Sequence, residues 1–301
     1  MHPYRPTLRQ LSYLKALAEH KNFSRAAESQ FVTQSTLSAG IMELETLLGA
    51  ALVERTKRMV RITPLGAKVV ARAEAILTQT DDLVDLVKGA AEPLAGEVRL
   101  GAIPTIGPFL LPRAIAKLRR DHPALKLFLH EGQTETVLGM LAGGELDVVL
   151  VAFPYPVKNA EVEILSDDPF SLICPEGHPF SGRTAITSKE LVGEDLLLLE
   201  EGHCLRDHAL SVCNLPGLTR PDEFRATSLE TLVLMVEGGL GLTLVPKVAI
   251  DAGLLKGKKV HQMALKGAET GRQIGLAWRK TSARGVEFRL LGDYFRTPLG
   301  L

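Results

Sequence analysis

Apolar positions in the first ninety residues recur at helical spacing. Leu8, Leu11, Leu14, Leu17 and Ala18 mark a first helix. Phe23-Ser24-Arg25-Ala26-Ala27 starts a short second one, with Ser24 as its candidate cap. After a break at Phe31-Val32, the run from Thr33 through Gln34, Ser35, Thr36, Leu37 and Ser38 to Glu45 starts a third helix that ends near Gly49. Two short helices, a tight turn and a polar-fronted third helix make a helix-turn-helix. Short polar side chains at a helix N-terminus reach base edges or phosphates when that end enters the major groove. Ser24, Thr33, Gln34, Ser35, Thr36 and Ser38 are therefore candidate contacts to double-stranded DNA. Taken alone, the same stretch also reads as a capped amphipathic helix.

Two short extended runs follow between Leu52 and Pro64 and flank a basic tip. Arg55, Lys57, Arg58 and Arg61 stand there within seven residues, in the manner of a wing offering cations to phosphates. Thr63 and Pro64 suit the N-cap and first position of a long helix reaching to about Gly89, with Leu65, Val69, Ala73, Ile76, Leu83, Leu86 and Val87 as its apolar positions. At 1.5 Å per residue it spans about 39 Å, and its stripe needs a partner, most simply the same helix of a second chain. Pro93 and Gly96 then mark a boundary. The expected division is a winged helix-turn-helix over 1–66, a linker helix over 67–92 and a larger domain over 93–301.

From Glu97 the pattern alternates strand and helix. Val98–Ile103, Leu125–His130 and Asp147–Val151 read as strands, and Gly107–Arg120 and Val137–Gly143 as helices, an α/β arrangement with a parallel sheet. A second series runs from about 168 to 268 through Phe170–Cys174, Leu196–Leu199, Leu205–Val212, Glu223–Ala226, Leu229–Glu237 and Leu242–Val245. A last strand, Gln273–Trp278, and a helix from about Arg284 to Phe295 complete the chain. This predicts two lobes, one over 97–167 and 270–301 and the other over 168–269, with a cleft between them. Thr105 and Thr134 fall just past strand ends at helix entries, the edge where open α/β sheets bind ligands. Gly238-Gly239-Leu240-Gly241 is not a dinucleotide fingerprint, because it follows a helix and precedes a strand.

Composition changes this picture little. An apolar content of 46% suits a chain with a substantial core. The net charge is zero, yet residues 1–66 hold nine Lys/Arg against five Asp/Glu, so a basic head sits on an acidic body. That asymmetry points to a polyanion partner at one end. The first ten residues lack a long apolar run and no 18-residue apolar stretch follows, so a soluble cytoplasmic protein without membrane contact is expected.

The cysteines carry the chemistry. Cys204 and Cys213 bracket a segment that reads as a helix. Nine helical steps separate the thiols by roughly 13 Å, whereas a disulfide needs Cα atoms within about 7 Å. These two cysteines therefore bond only if the segment refolds, the physical form of a redox switch. Cys204 lies at the helix N-terminus with His203 and Arg206 beside it, surroundings that favour a reactive thiolate. Cys213 lacks them and reads as the resolving partner. Spacing alone also allows two buried packing thiols, the commonest state of intracellular cysteine. A metal site of Cys204, His208 and Cys213 matches no usual zinc spacing, so no metal or other cofactor is expected. Cys174, in the strand-like run Phe170–Cys174, reads as core.

Together these residues resemble the LysR-type transcriptional regulators, over nearly the whole chain. Phe23-Ser24-Arg25-Ala26-Ala27 and Thr33-Gln34-Ser35-Thr36-Leu37-Ser38 fit the family pattern. Gly40 departs from it, where the family commonly carries glutamine and an expected DNA contact. Five stretches are similar to the peroxide-sensing members: Ile103-Pro104-Thr105-Ile106-Gly107-Pro108, Leu129-His130-Glu131-Gly132-Gln133-Thr134, Glu201 to Asp207, Cys213, and Phe224 to Leu232. The resemblance implies a regulatory domain like a periplasmic binding protein, dimers assembling into tetramers, an activator role and RNA polymerase as a partner. It also makes Cys204 the thiol that hydrogen peroxide attacks and Cys213 the one that closes the disulfide. Thr105, Thr134, His203 and Arg272 match positions lining the peroxide pocket, and Arg206 and Asp207 belong to the same stretch. A regulator gated by a small organic ligand is the competing reading. A thiol peroxidase enzyme leaves the helix-turn-helix unexplained.

Overall fold

The computed structural model describes residues 5–55, 60–89, 93–212, 226–267 and 271–299. The chain divides into two compact units, Met1–Val87 and Lys88–Leu301.

In the first unit, α1 (Leu8–His20) is held at its start by a reciprocal capping box between Thr7 and Gln10. α2 (Phe23–Ser29) is capped by Asn22, whose side chain accepts from the amides of Ser24 and Arg25. The cap is therefore Asn22, not Ser24, because its β-region backbone places the amide oxygen over the first turn. α3 (Gln34–Leu48) starts on Thr33, which accepts from Thr36 N, and ends on Gly49 at φ 66°, a left-handed stop that suits glycine. Leu14, Leu17, Leu37, Ile41 and Leu44 are fully buried where the three helices meet. β1 (Val53–Arg55) and β2 (Val60–Ile62) pair antiparallel, with Glu54 opposite Arg61.

The linker, α4 (Pro64–Gly89), begins with Thr63 Oγ1 accepting from Gly66 N at 2.9 Å. Its apolar stripe is not wholly left for another chain. Ala73 is buried in the helix-turn-helix core and Val69, Val70 and Leu77 pack against that core. Leu65, Ile76, Leu83 and Val84 stay exposed.

The second unit runs β3 (Gly96–Ala102), α5 (Gly107–Asp121), β4 (Leu125–Glu131), α6 (Thr134–Gly143), β5 (Val148–Phe153), β6 (Ala160–Pro175), β7 (Ala185–Thr187), α7 (Cys204–Val212), α8 (Leu229–Glu237), β8 (Thr243–Pro246), α9 (Lys247–Asp251), β9 (Val260–Lys266), β10 (Gly271–Arg279) and α10 (Gly285–Leu299). The strand order is β4-β3-β5-β10-β6-β9-β7, with β8 also paired to β6. β3 lies parallel to β4 and β5, while β10 is antiparallel to both β5 and β6, so the sheet is mixed rather than parallel throughout.

The strand expected at Phe170–Cys174 begins ten residues earlier. Its first part carries Glu161 and Glu163 and lacks a buried-strand pattern, but the ladder with β10 supplies its backbone partners. Its second part pairs with β8 and β9. One strand thus runs from the first lobe into the second. Each lobe has its own core. Val98, Leu100, Val148–Ala152, Leu276 and Phe288 belong to the first, and Leu172, Ile173, Val233 and Val245 to the second. Cys174 is fully buried in the second core, where burial pushes its thiol upward. The expected strand at Leu196–Leu199 is reduced to single bridges, Leu196 with Leu242 and Leu199 with Ala226; the rest of the expected Glu223–Ala226 strand lies outside the described residues.

Candidate functional site

α7 runs along the border of the two cores. Gly202, two residues before it, has φ 93°, and a Cβ there would fall 2.5 Å from Gln133 Oε1. Glycine therefore lets this turn close against the start of α6, whose N-cap is Gln133. Cys204 is the first residue of α7 and only 4% exposed. It joins the first lobe's core, while Leu205 and Ala209 of the same helix join the second. α7 packs on β10, the strand that carries Arg272.

Arg272 is the polar anchor of this region. Its Nε donates to Asp168 Oδ2 at 2.9 Å, Nη1 to Thr105 Oγ1 at 2.8 Å and Nη2 to Thr105 O at 2.9 Å. Asp168 Oδ1 accepts from Val248 N at 2.8 Å, so β6, β10, α9 and the turn before α5 meet at one guanidinium. Thr105, Asp168 and Arg272 are all buried. Thr134, the first residue of α6, is buried too, and its Oγ1 has no hydrogen-bond partner among the described residues.

Of the pocket residues expected from sequence, Thr105 and Arg272 are in direct contact. His203 is buried immediately before α7, with Nε2 3.9 Å from Glu200 Oε1. Burial pushes its pKa below 6.5 and Glu200 opposes this, so burial favours the neutral imidazole beside Cys204. Arg206 is half-buried and its Nη1 donates to Leu199 O at 3.2 Å. Asp207 is exposed. Cys213 lies outside the described residues.

Three participants were not singled out for this pocket from sequence. Asp168 is a carboxylate within a strand, and only the fold shows that Arg272 faces it across the β6–β10 ladder. Tyr155 follows β5; burial first, then Glu135, Cys204 and Asp207, raises its phenol pKa. His208, considered only as a metal ligand, is buried with Nε2 2.9 Å from Pro154 O. Its position four residues after Cys204, on the same helix face, was the available signal. No cluster suited to a metal ion occurs among the described residues.

In the first unit, Ser24 Oγ donates to Gln34 Oε1 at 3.1 Å, and Thr33 Oγ1 lies 2.9 Å from Ser35 Oγ and 2.8 Å from Thr36 Oγ1. Gln34, Ser35 and Thr36 are exposed at the start of α3, and Ser38 is half-buried. Arg61 is exposed on β2. Lys57, Arg58 and the side chain of Arg55 lie outside the described residues. Gly40 is buried, and a Cβ there would lie 2.8 Å from Tyr13 Cδ2. Position 40 thus faces Tyr13, which leaves little room for a side chain there. No helix among the described residues is long and apolar enough to cross a membrane.

Residues 8–67 match the bacterial regulatory helix-turn-helix protein, lysR family, and residues 91–299 match the LysR substrate binding domain. The chain is 42% identical over 293 residues to the HTH-type transcriptional regulator EstR of Acinetobacter baylyi, covering 97% of this chain and 96% of that one. It is 41% identical over 295 residues to the DNA-binding transcriptional dual regulator OxyR of Escherichia coli, covering 97% and 95%. Among solved structures, a hydrogen-peroxide-bound OxyR mutant of Corynebacterium glutamicum is similar with a TM-score of 0.67 at 33% identity, covering 99% of this chain and 94% of that one.

Proposed function

We propose that this chain, which belongs to the LysR family of bacterial transcription regulators, senses hydrogen peroxide through Cys204 and passes the signal to DNA. The observation that carries this reading is the placement of Cys204. It is buried in the first lobe's core as the first residue of α7, on the helix that packs against the Arg272 strand, whereas Cys174 lies within a strand of the second core. Helix N-terminal amides favour an anion at that position. The Cys204 thiolate attacks one peroxide oxygen, an S–O bond forms, the O–O bond breaks, and the departing hydroxide takes a proton to leave as water. Arg272, Thr105 and Thr134 supply donors for the charge that develops on the leaving oxygen. The sulfenic acid is then attacked by the Cys213 thiol, forming the disulfide and releasing a second water. Closing that bond brings Cα atoms to within about 7 Å, so α7 unravels and Leu205 and Ala209 leave the second core. Such a change alters the arrangement of subunits in a dimer or tetramer and the spacing of the DNA-binding heads.

The C. glutamicum structure bound to hydrogen peroxide and the OxyR relative of E. coli support the peroxide reading. A second reading is a small organic effector. Its supporting observation is a pocket of about 470 Å³ lined by Ser166, Asp167, Lys247, Val248, Asp251 and Gln273. Peroxide titration of the full-length protein with mass mapping of thiols separates the two. The peroxide reading expects sulfenic acid on Cys204 in Cys213→Ser and a Cys204–Cys213 bond in the parent. The effector reading expects neither at stoichiometric peroxide.

A further inference from the structure

His208 is a buried imidazole for which disulfide exchange has no use. It is 6% exposed, and its Nε2 lies 2.9 Å from the carbonyl oxygen of Pro154. A carbonyl only accepts, so Nε2 carries the proton and Nδ1 is left bare. Nδ1 is buried and has no partner among the described residues. A buried acceptor left without a donor costs about 1–3 kcal/mol, so its survival in a well-packed site points to a use.

The helix geometry says where that nitrogen stands. Cys204 and His208 are four apart on α7, so they share one face with Cβ atoms roughly 5–6 Å apart. Helical side chains lean toward the N-terminus, the direction in which Cys204 lies from His208. Thr134 Oγ1 is a second unspent polar atom in the same lobe, at the start of α6. A bare acceptor and an uncommitted hydroxyl on elements that meet near Cys204 are what a small molecule with both O–H donors and oxygen acceptors requires.

We infer that His208 is the proton acceptor for Cys204: Nδ1 takes the thiol proton, leaving the thiolate that attacks, and returns it to the departing hydroxide. The balance is closed. One S–H proton moves to nitrogen, the S–O bond forms as the O–O bond breaks, and the same proton completes a water molecule, leaving His208 neutral. This rests on the peroxide reading above. The charged groups that act on His208 are Arg272 on β10, paired with Asp168 on β6, and Asp207 on its own helix, where Cys204 stands four residues before it. Burial, opposed by the Pro154 hydrogen bond and reinforced by Arg272, lowers its pKa from 6.5, so the ring is neutral and able to accept at neutral pH.

The test is the pH profile of Cys204 oxidation by hydrogen peroxide in full-length parent and His208→Gln. Glutamine keeps a donor for Pro154 and lacks a basic nitrogen. The expected result is a loss of about a hundredfold at neutral pH, with the variant regaining rate as hydroxide replaces the lost base, so the two profiles converge in alkali. An equal loss at every pH would make His208 a packing residue, and an unchanged profile would remove it from the chemistry; either overturns the inference. Iodoacetamide alkylation of Cys204, mapped by mass, makes the same comparison without peroxide. A parent that resists peroxide yet shows the His208-dependent alkylation profile overturns the peroxide reading and keeps the proton acceptor. Should His208→Gln fail to fold, rescue of His208→Ala by added imidazole replaces it, and absence of rescue counts against the inference.

Discussion

Arg272 and Asp168 form an ion pair at 2.9 Å in which neither side chain exceeds 1% exposure. A guanidinium removed from water to that degree depends on its partner. Asp168→Asn leaves the charge uncompensated and should destabilise the regulatory unit by about 3–5 kcal/mol. Urea unfolding of the reduced protein measures this. An unchanged midpoint would mean that Arg272 finds another counter-charge.

His203 and His208 make that unit sensitive to acid. Burial is the leading cause of the lowered pKa in both. An unfolded chain titrates histidine near pH 6.5, so between about that pH and the lower folded values the unfolded state binds more protons. The stabilisation is fully present above about pH 6.5 and is lost as pH falls through the folded values. Thermal unfolding of the reduced protein should show a falling Tm across this acid range, and a shallower fall in His208→Gln. Equal slopes would show that His208 titrates alike in both states.

Gly40 and Tyr13 fit each other in the helix-turn-helix. Gly40→Ala gains about 1 kcal/mol of helix propensity, but its Cβ overlaps Tyr13, which costs about 1–3 kcal/mol. The variant should melt lower than the parent, and adding Tyr13→Leu should recover most of the loss. A single Gly40→Ala that melts higher would show that Tyr13 shifts freely.

The basic tip between β1 and β2 is expected on phosphates. Arg58→Ala should weaken binding to all sequences and reduce the salt slope by about one phosphate contact. Ser38→Ala should act more on preference between sites. Filter binding over a range of salt concentrations reads both. An unchanged slope in Arg58→Ala removes that arginine from the interface.

The helix-turn-helix was legible because local signals agree: periodic leucines, Thr33 as a cap and Gly49 as a stop. α7 was equally plain, with Cys204 at its start. What sequence did not reveal depends on long-range pairing. The first half of β6 has polar alternation and becomes a strand because β10 lies beside it. Asp168 gains its meaning from Arg272, 104 residues away. The lowered pKa of His203 follows from burial, which depends on how α7 settles between two cores. That Gly40 sits against Tyr13 is likewise visible only once α1 and α3 are packed together.

The central claim is that peroxide drives Cys204 onto Cys213 and that the resulting refolding reaches DNA. DNA footprinting on the chain's own upstream region tests it most directly, with reduced protein compared against protein whose Cys204–Cys213 bond has been verified by mass. Hydrogen exchange over residues 203–215 is followed on the same samples. The account predicts lost protection in that segment together with a footprint of altered length or spacing. Equal protection and an identical footprint in the two forms would contradict it.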